Sequence, residues 1–124
     1  MATVEATKDN FEQLIATHDT VFVDFWAEWC GPCRMFAPVF EAASEKHGHA
    51  VFAKVNTEEQ QELAAAFQIS SIPTLMVFRE KVLIFSQPGA LPGSAFEDLV
   101  GKVKALDMAA VHKDVAAQEA EQPN

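Results

Sequence analysis

Cys30 and Cys33, the only two cysteines, stand where an apolar run gives way to a helical pattern, and that junction constrains the fold most. Before it, Val21-Phe22-Val23-Asp24-Phe25-Trp26-Ala27 has the β-branched and aromatic content of a buried strand, with one charge inside it. After it, Met35, Phe36, Val39 and Phe40 recur at three-and-four spacing, the mark of a helix. The pentapeptide Trp29-Cys30-Gly31-Pro32-Cys33 is therefore a strand-to-helix turn, with Cys30 at the helix N-terminus and Cys33 one turn in. Pro32 is compatible with a first turn, where the N–H it lacks has no partner to lose. Residues three apart share a helix face, so the two sulfurs can close a small ring. Unpaired N–H groups and the macrodipole favour an anion at a helix start, which stabilises a thiolate on Cys30. A thiolate is the attacking species in thiol–disulfide exchange; Cys33, set against the core, suits the resolving role.

The same residues leave other uses of the pair open. A purely stabilising cross-link is one, but so small a ring constrains the unfolded chain weakly. A metal site is another, yet tetrahedral zinc takes about four ligands, and His18, His47, His49 and His112 show no ligand spacing near the pair. An iron–sulfur cluster shared across a dimer is a third.

The rest of the chain alternates strand and helix. Thr3 to Ala6 reads as a short strand, and Thr7 as the N-cap of a helix through Lys8 to His18 with Phe11, Leu14 and Ile15 on its apolar face. The helix after the cysteines is expected to reach about His47, kinked at Pro38 and closed by Gly48. Val51 to Val55 is the next strand, followed by a helix from Glu58 to Phe67. A βαβαβα order implies parallel strands. Thr74 to Phe78 and Val82 to Phe85 then read as an antiparallel hairpin, and Ser94 as the cap of a helix carrying Phe96, Leu99, Val100, Val103 and Leu106. Residues 107–124, Ala-rich and acidic, read as a helical extension or a disordered tail beyond a domain of residues 1–106.

Composition sets the outer bounds. A chain of 124 residues, 49% of them hydrophobic, is one domain with an ordinary core. A net charge of −9 and a pI near 4.7 disfavour nucleic acid and anionic membrane as partners. The N-terminus lacks the basic-then-apolar pattern of a signal peptide, and no apolar run is long enough to span a bilayer. The expectation is a cytoplasmic monomer in which a cysteine pair is catalytic or metal-binding before it is structural.

The run Val23-Asp24-Phe25-Trp26-Ala27-Glu28-Trp29-Cys30-Gly31-Pro32-Cys33, with Ile72-Pro73-Thr74 downstream, resembles the thioredoxin family from roughly residue 3 to residue 106. The resemblance implies an α/β thioredoxin fold, a central mixed sheet of about five strands flanked by about four helices. It implies dithiol–disulfide exchange through Cys30 and Cys33, with Gly31 and Pro32 between them and re-reduction by an NADPH-dependent thioredoxin reductase. The redox-active disulfide is then the only redox group, with no bound cofactor or metal, and the partners are the reductase and disulfide-containing target proteins.

The resemblance also places the family's buried aspartate at Asp24, where burial raises the pKa and allows proton exchange with Cys33. The residues alone leave open a carboxylate that reaches solvent at the strand end. Lys54, on a neighbouring strand, is the candidate counter-charge, or else a lysine whose stem packs while its ammonium reaches water. Pro73 is a turn proline on sequence grounds alone, and cis by resemblance, which frees the Ile72 backbone to pair with an extended substrate. Trp29, Gly31, Pro32, Ile72 and Gly89 then surround Cys30 with an apolar surface for partner proteins, and Trp26 is either core or functional. Two departures from the family pattern bear on partner choice. The hairpin turn is Arg79-Glu80-Lys81 in place of Asn-Gly, and Gln87-Pro88-Gly89 carries a proline beside Gly89. Gly31-Pro32 between the cysteines favours a reductase over an oxidase or isomerase of the same fold; a binding module with idle cysteines is the remaining rival.

Overall fold

The computed structural model describes residues 2–121. Five strands form one sheet in the order β1-β3-β2-β4-β5: β1 (Thr3–Glu5), β2 (Thr20–Trp26), β3 (Val51–Asn56), β4 (Thr74–Arg79) and β5 (Val82–Pro88). Strands β1, β3 and β2 are parallel, β4 runs antiparallel to β2, and β5 runs antiparallel to β4, so the sheet is mixed as expected. Five helices accompany it: α1 (Phe11–Thr17), α2 (Gly31–Lys46), α3 (Gln61–Ala66), α4 (Gly93–Ala105) and α5 (Met108–Glu121).

Side-chain alternation along β2 divides the core into two layers. Phe22 packs with Phe36 and Phe40 of α2, Phe52 of β3 and Phe96 of α4 on one face. Val21, Val23 and Phe25 pack on the other with Phe11 of α1, Val55 of β3 and Phe78 of β4. Phe22 stacks on Phe52 with centroids 4.9 Å apart, and Phe96 meets Phe22 and Phe36 edge-on. Asp24 shares its face with Phe22 and therefore points towards α2, into the layer beneath the cysteines.

Several element boundaries differ from the sequence reading, each for a local reason. The first helix starts at Phe11, because Thr7 forms a turn instead of an N-cap: its Oγ1 accepts from the Asp9 N–H, and Asn10 Oδ1 accepts from the Thr7 N–H. Likewise Asn56 Oδ1 accepts from the N–H groups of Glu58 and Glu59, a turn that delays α3 to Gln61. The helix α2 is capped at its C-terminus by His47, and Gly48 is not in the left-handed region that a C-terminal glycine cap uses. Pro92 stands at the N-cap of α4, which leaves Ser94 inside the first turn without a capping bond. Met35, placed by periodicity on the apolar face of α2, is 74% exposed. Residues 108–121 form α5, separated from α4 by a break at Leu106 and Asp107; the end of the expected tail, residues 122–124, lies outside the described residues.

Candidate active site

Strand β2 ends at Trp26, and the chain turns through Ala27, Glu28 and Trp29 into α2. The turn is fastened at several points. Thr57 donates both its N–H (2.9 Å) and its hydroxyl (3.1 Å) to the Trp26 carbonyl. The Cys30 N–H reaches the Ala27 carbonyl at 3.2 Å, and Arg34 Nε donates to the Glu28 carbonyl at 3.1 Å. Thr57 and Arg34 were not among the sequence candidates. No spacing signals them, since each acts on a backbone carbonyl that only the folded turn brings near.

Cys30 is the N-cap of α2, and Gly31 and Pro32 begin the helix, as the sequence reading placed them. Cys30 and Cys33 are joined in a disulfide, with Cα atoms 5.2 Å apart. Cys30 Sγ accepts from the Cys33 N–H at 3.2 Å and so occupies the position where a capping oxygen commonly sits. An N–H aimed at this sulfur and the helix dipole both favour a thiolate at Cys30 in the dithiol form. In the disulfide form both cysteines are buried, Cys30 at 4% and Cys33 at 2% exposure. They form a small cluster with Ala27, against which Trp26 and Ile72 pack.

The peptide bond between Ile72 and Pro73 is cis, in agreement with the family resemblance. The Ile72 carbonyl lies 3.7 Å from Cys30 Sγ, while the Ile72 N–H has no hydrogen-bond acceptor among the described residues. Thr74 Oγ1 donates to the Ser71 carbonyl at 2.6 Å and the Gly89 N–H to the Pro73 carbonyl at 2.8 Å, which pins this loop from both sides. Gly89 has φ +104°, a conformation that an L side chain rarely adopts. Trp29 is 64% exposed, and Gly31, Pro32 and Gly89 are exposed as well.

Asp24 is fully buried, and neither carboxyl oxygen has a hydrogen-bond partner among the described residues. Burial raises its pKa to about 7, against the opposing pull of Lys54. Of the two readings left open, the strand-end carboxylate in solvent is excluded. Lys54 is the direct register partner of Asp24 on β3, yet its ammonium lies 4.9 Å over the Trp26 ring, a cation–π contact. It tempers the carboxyl's charge from a distance and does not pair with it. Among the described residues no group of three or more His, Cys, Asp or Glu side chains is placed to hold a metal ion.

A disulfide at a helix N-terminus, a buried acid beneath it and a cis-proline loop beside it define a thiol–disulfide oxidoreductase. The thioredoxin family profile matches residues 2–119. The chain is 56% identical over 120 residues, 97% of its own length and 90% of the relative's, to a Streptomyces coelicolor protein assigned as a thioredoxin 2. It is 49% identical over 92 residues to the thioredoxin of Alicyclobacillus acidocaldarius, covering 70% of this chain and 88% of that one. The solved structure of Plasmodium falciparum thioredoxin superposes with a TM-score of 0.75 at 35% identity, covering 81% of this chain and 98% of the other. The chain belongs to the thioredoxin family.

Proposed function

We propose that the chain works in the reducing direction, taking electrons from an NADPH-dependent thioredoxin reductase and passing them to disulfides of partner proteins in the cytoplasm, as a monomer. The observation that carries the exchange chemistry is the Cys30 N-cap, whose Sγ receives the Cys33 N–H at the start of α2, and Gly31-Pro32 between the cysteines supports the reducing direction. In the dithiol form the Cys30 thiolate attacks a partner disulfide. A mixed disulfide forms, and one partner sulfur leaves as a thiolate that takes up a proton. Cys33 then gives its proton to the ionised Asp24 carboxylate and attacks Cys30 Sγ. The second partner sulfur leaves as a thiolate that takes up a proton, and the chain is left with the Cys30–Cys33 disulfide. Two electrons pass to the partner in all, and the reductase restores the dithiol.

Partner segments dock across the exposed face of Trp29, Gly31, Pro32 and Gly89 and pair with the free Ile72 backbone by strand addition. Trp26 and Lys54 support the site from behind, the one packed on the disulfide and the other on its ring. With insulin as substrate and NADPH oxidation by a thioredoxin reductase as the readout, the wild-type chain turns over and Cys30→Ser is inactive. Cys33→Ser accumulates a mixed disulfide that it cannot resolve. Turnover that survives both substitutions contradicts the reading.

A further inference from the structure

The β5 edge beside the redox turn is built in an unusual way. Thr74 faces Pro88 in the β4–β5 register, and the Gly89 N–H donates to the Pro73 carbonyl at 2.8 Å. In an antiparallel ladder, a bond running between the residue after one member of a facing pair and the residue before the other identifies that pair as non-hydrogen-bonded. The N–H and C=O positions of such a pair point away from the partner strand, each to the far side of its own. Position 88 thus turns its backbone outward, and β5 is the edge of the sheet, so outward here is open. An ordinary residue at this place presents a free N–H to any extended segment that passes. Proline presents none.

The place matters because of what adjoins it. Cys30 Sγ lies 3.7 Å from the Ile72 carbonyl, Pro73 follows in the chain, and the Pro73 carbonyl is held by Gly89, the neighbour of Pro88. Two backbone edges are open in this part of the molecule: Ile72, whose N–H has no acceptor among the described residues, and the outer side of β5, away from β4. Gln87 faces Leu75 in the alternate, hydrogen-bonded type of pair, so its N–H is turned inward. Ser86 is the next outward position, and a lone donor is a poor start for a ladder.

We propose that Pro88 is a specificity-determining residue of this site. By removing an edge donor beside the disulfide, it stops extended segments of proteins from adding to β5, and it leaves Ile72 as the backbone docking point. Segments without a disulfide are then held too weakly to compete with those that present one to Cys30. This rests on the reading of Ile72 as the docking point, and its test is separable from that of the redox activity.

Pro88→Ala restores the donor while keeping a residue that can adopt the same backbone. The probe is a short Val- and Thr-rich peptide without cysteine, titrated into the wild-type and variant proteins with tryptophan fluorescence as the readout. One added hydrogen bond predicts roughly two- to tenfold tighter binding of this inert peptide by Pro88→Ala. The same peptide then inhibits insulin reduction by the variant more strongly, whereas reduction of a small aromatic disulfide is unchanged. Equal peptide affinity in wild type and variant overturns the proposal, whatever the turnover assays give. Loss of disulfide reduction by the wild-type chain overturns the proposed function alone. Pro88→Val, β-branched and suited to an edge strand, carries the same test if Pro88→Ala folds poorly.

Discussion

Both carboxyl oxygens of Asp24 lie in the apolar layer under α2 without a hydrogen-bond partner among the described residues, and burial lifts the pKa from 3.8 to about 7. The folded chain therefore binds this proton more tightly than the unfolded chain does. The stabilisation that this provides is full below the unfolded pKa and is lost as pH rises through about 7. A shift of this size corresponds to roughly 4 kcal/mol at most. Asp24→Ala removes the titration at the cost of a small cavity, so its stability relative to wild type rises by roughly 3 kcal/mol between pH 4 and pH 8. Urea unfolding of the two proteins at several pH values measures this, and a difference that does not change with pH contradicts it. The same variant resolves the mixed disulfide at least roughly tenfold more slowly, because Cys33 loses the base that accepts its proton. The position of Asp24 was legible in the sequence as a lone charge in an apolar strand. Its lack of any partner was not, because that depends on Lys54 choosing the Trp26 ring over the carboxyl.

Among the elements, the β4–β5 hairpin shows how a departure from a family pattern is accommodated. Glu80 and Lys81 have φ of 49° and 70°, the left-handed conformation that Asn-Gly adopts with less strain. What holds them is a polar clasp. The Glu80 N–H reaches the Asp19 carbonyl at 2.7 Å, and Glu80 Oε1 lies 2.7 Å from His112 Nε2 of α5. Arg79 donates from Nε to Asp19 Oδ1 and from its terminal nitrogen to the carbonyls of Val103, Lys104 and Leu106, where α4 ends. The Thr20 hydroxyl and this guanidinium hold the Asp19 carboxyl below its ordinary pKa. Arg79→Lys keeps the charge but cannot span four acceptors, so it costs about 1–3 kcal/mol in urea unfolding; a loss of less than about 0.5 kcal/mol, the range of an ordinary surface substitution, contradicts that role. Periodicity identified the two strands of this hairpin, since alternation reports which face is buried. It could not report Arg79, three of whose acceptors lie at the end of α4, 24 to 27 residues away, and the fourth at Asp19, 60 residues away. The displaced starts of α1 and α3 have a different origin: Thr7 and Asn56 offer the backbone a turn that competes with the first helical turn.

For the whole molecule, the sheet sets chemistry and clasp at opposite ends. Thr20 at the start of β2 pairs with Arg79, and the strand leaves at Trp26 beside the disulfide, about 20 Å further on. Helix α5 is fixed at the far end through His112 and the buried Met108. A chain ending at Leu106 therefore reduces insulin with kcat/KM within about twofold of the full chain, a change of under about 0.5 kcal/mol, while its unfolding midpoint falls. A larger loss of activity at unchanged substrate-free structure contradicts this separation of roles. The order of elements and the redox turn were readable because strand and helix periods alternate cleanly around Cys30. The break before α5 lies where Arg79 binds the last α4 carbonyls and where Asp107 Oδ1 caps α5 by accepting from the Ala110 N–H; the cap residue is visible in the sequence, the reach of Arg79 is not. If Cys30 and Cys33 serve reduction, the reduction potential of the pair must lie at the reducing end of the range open to this fold. It is read by equilibrating the protein against a dithiol buffer and following tryptophan fluorescence. Thioredoxins lie at about −270 mV and disulfide-forming relatives from roughly −180 to −120 mV. A value at the reducing end is the predicted result; a value at the oxidising end contradicts the account and assigns the chain to disulfide formation or isomerisation.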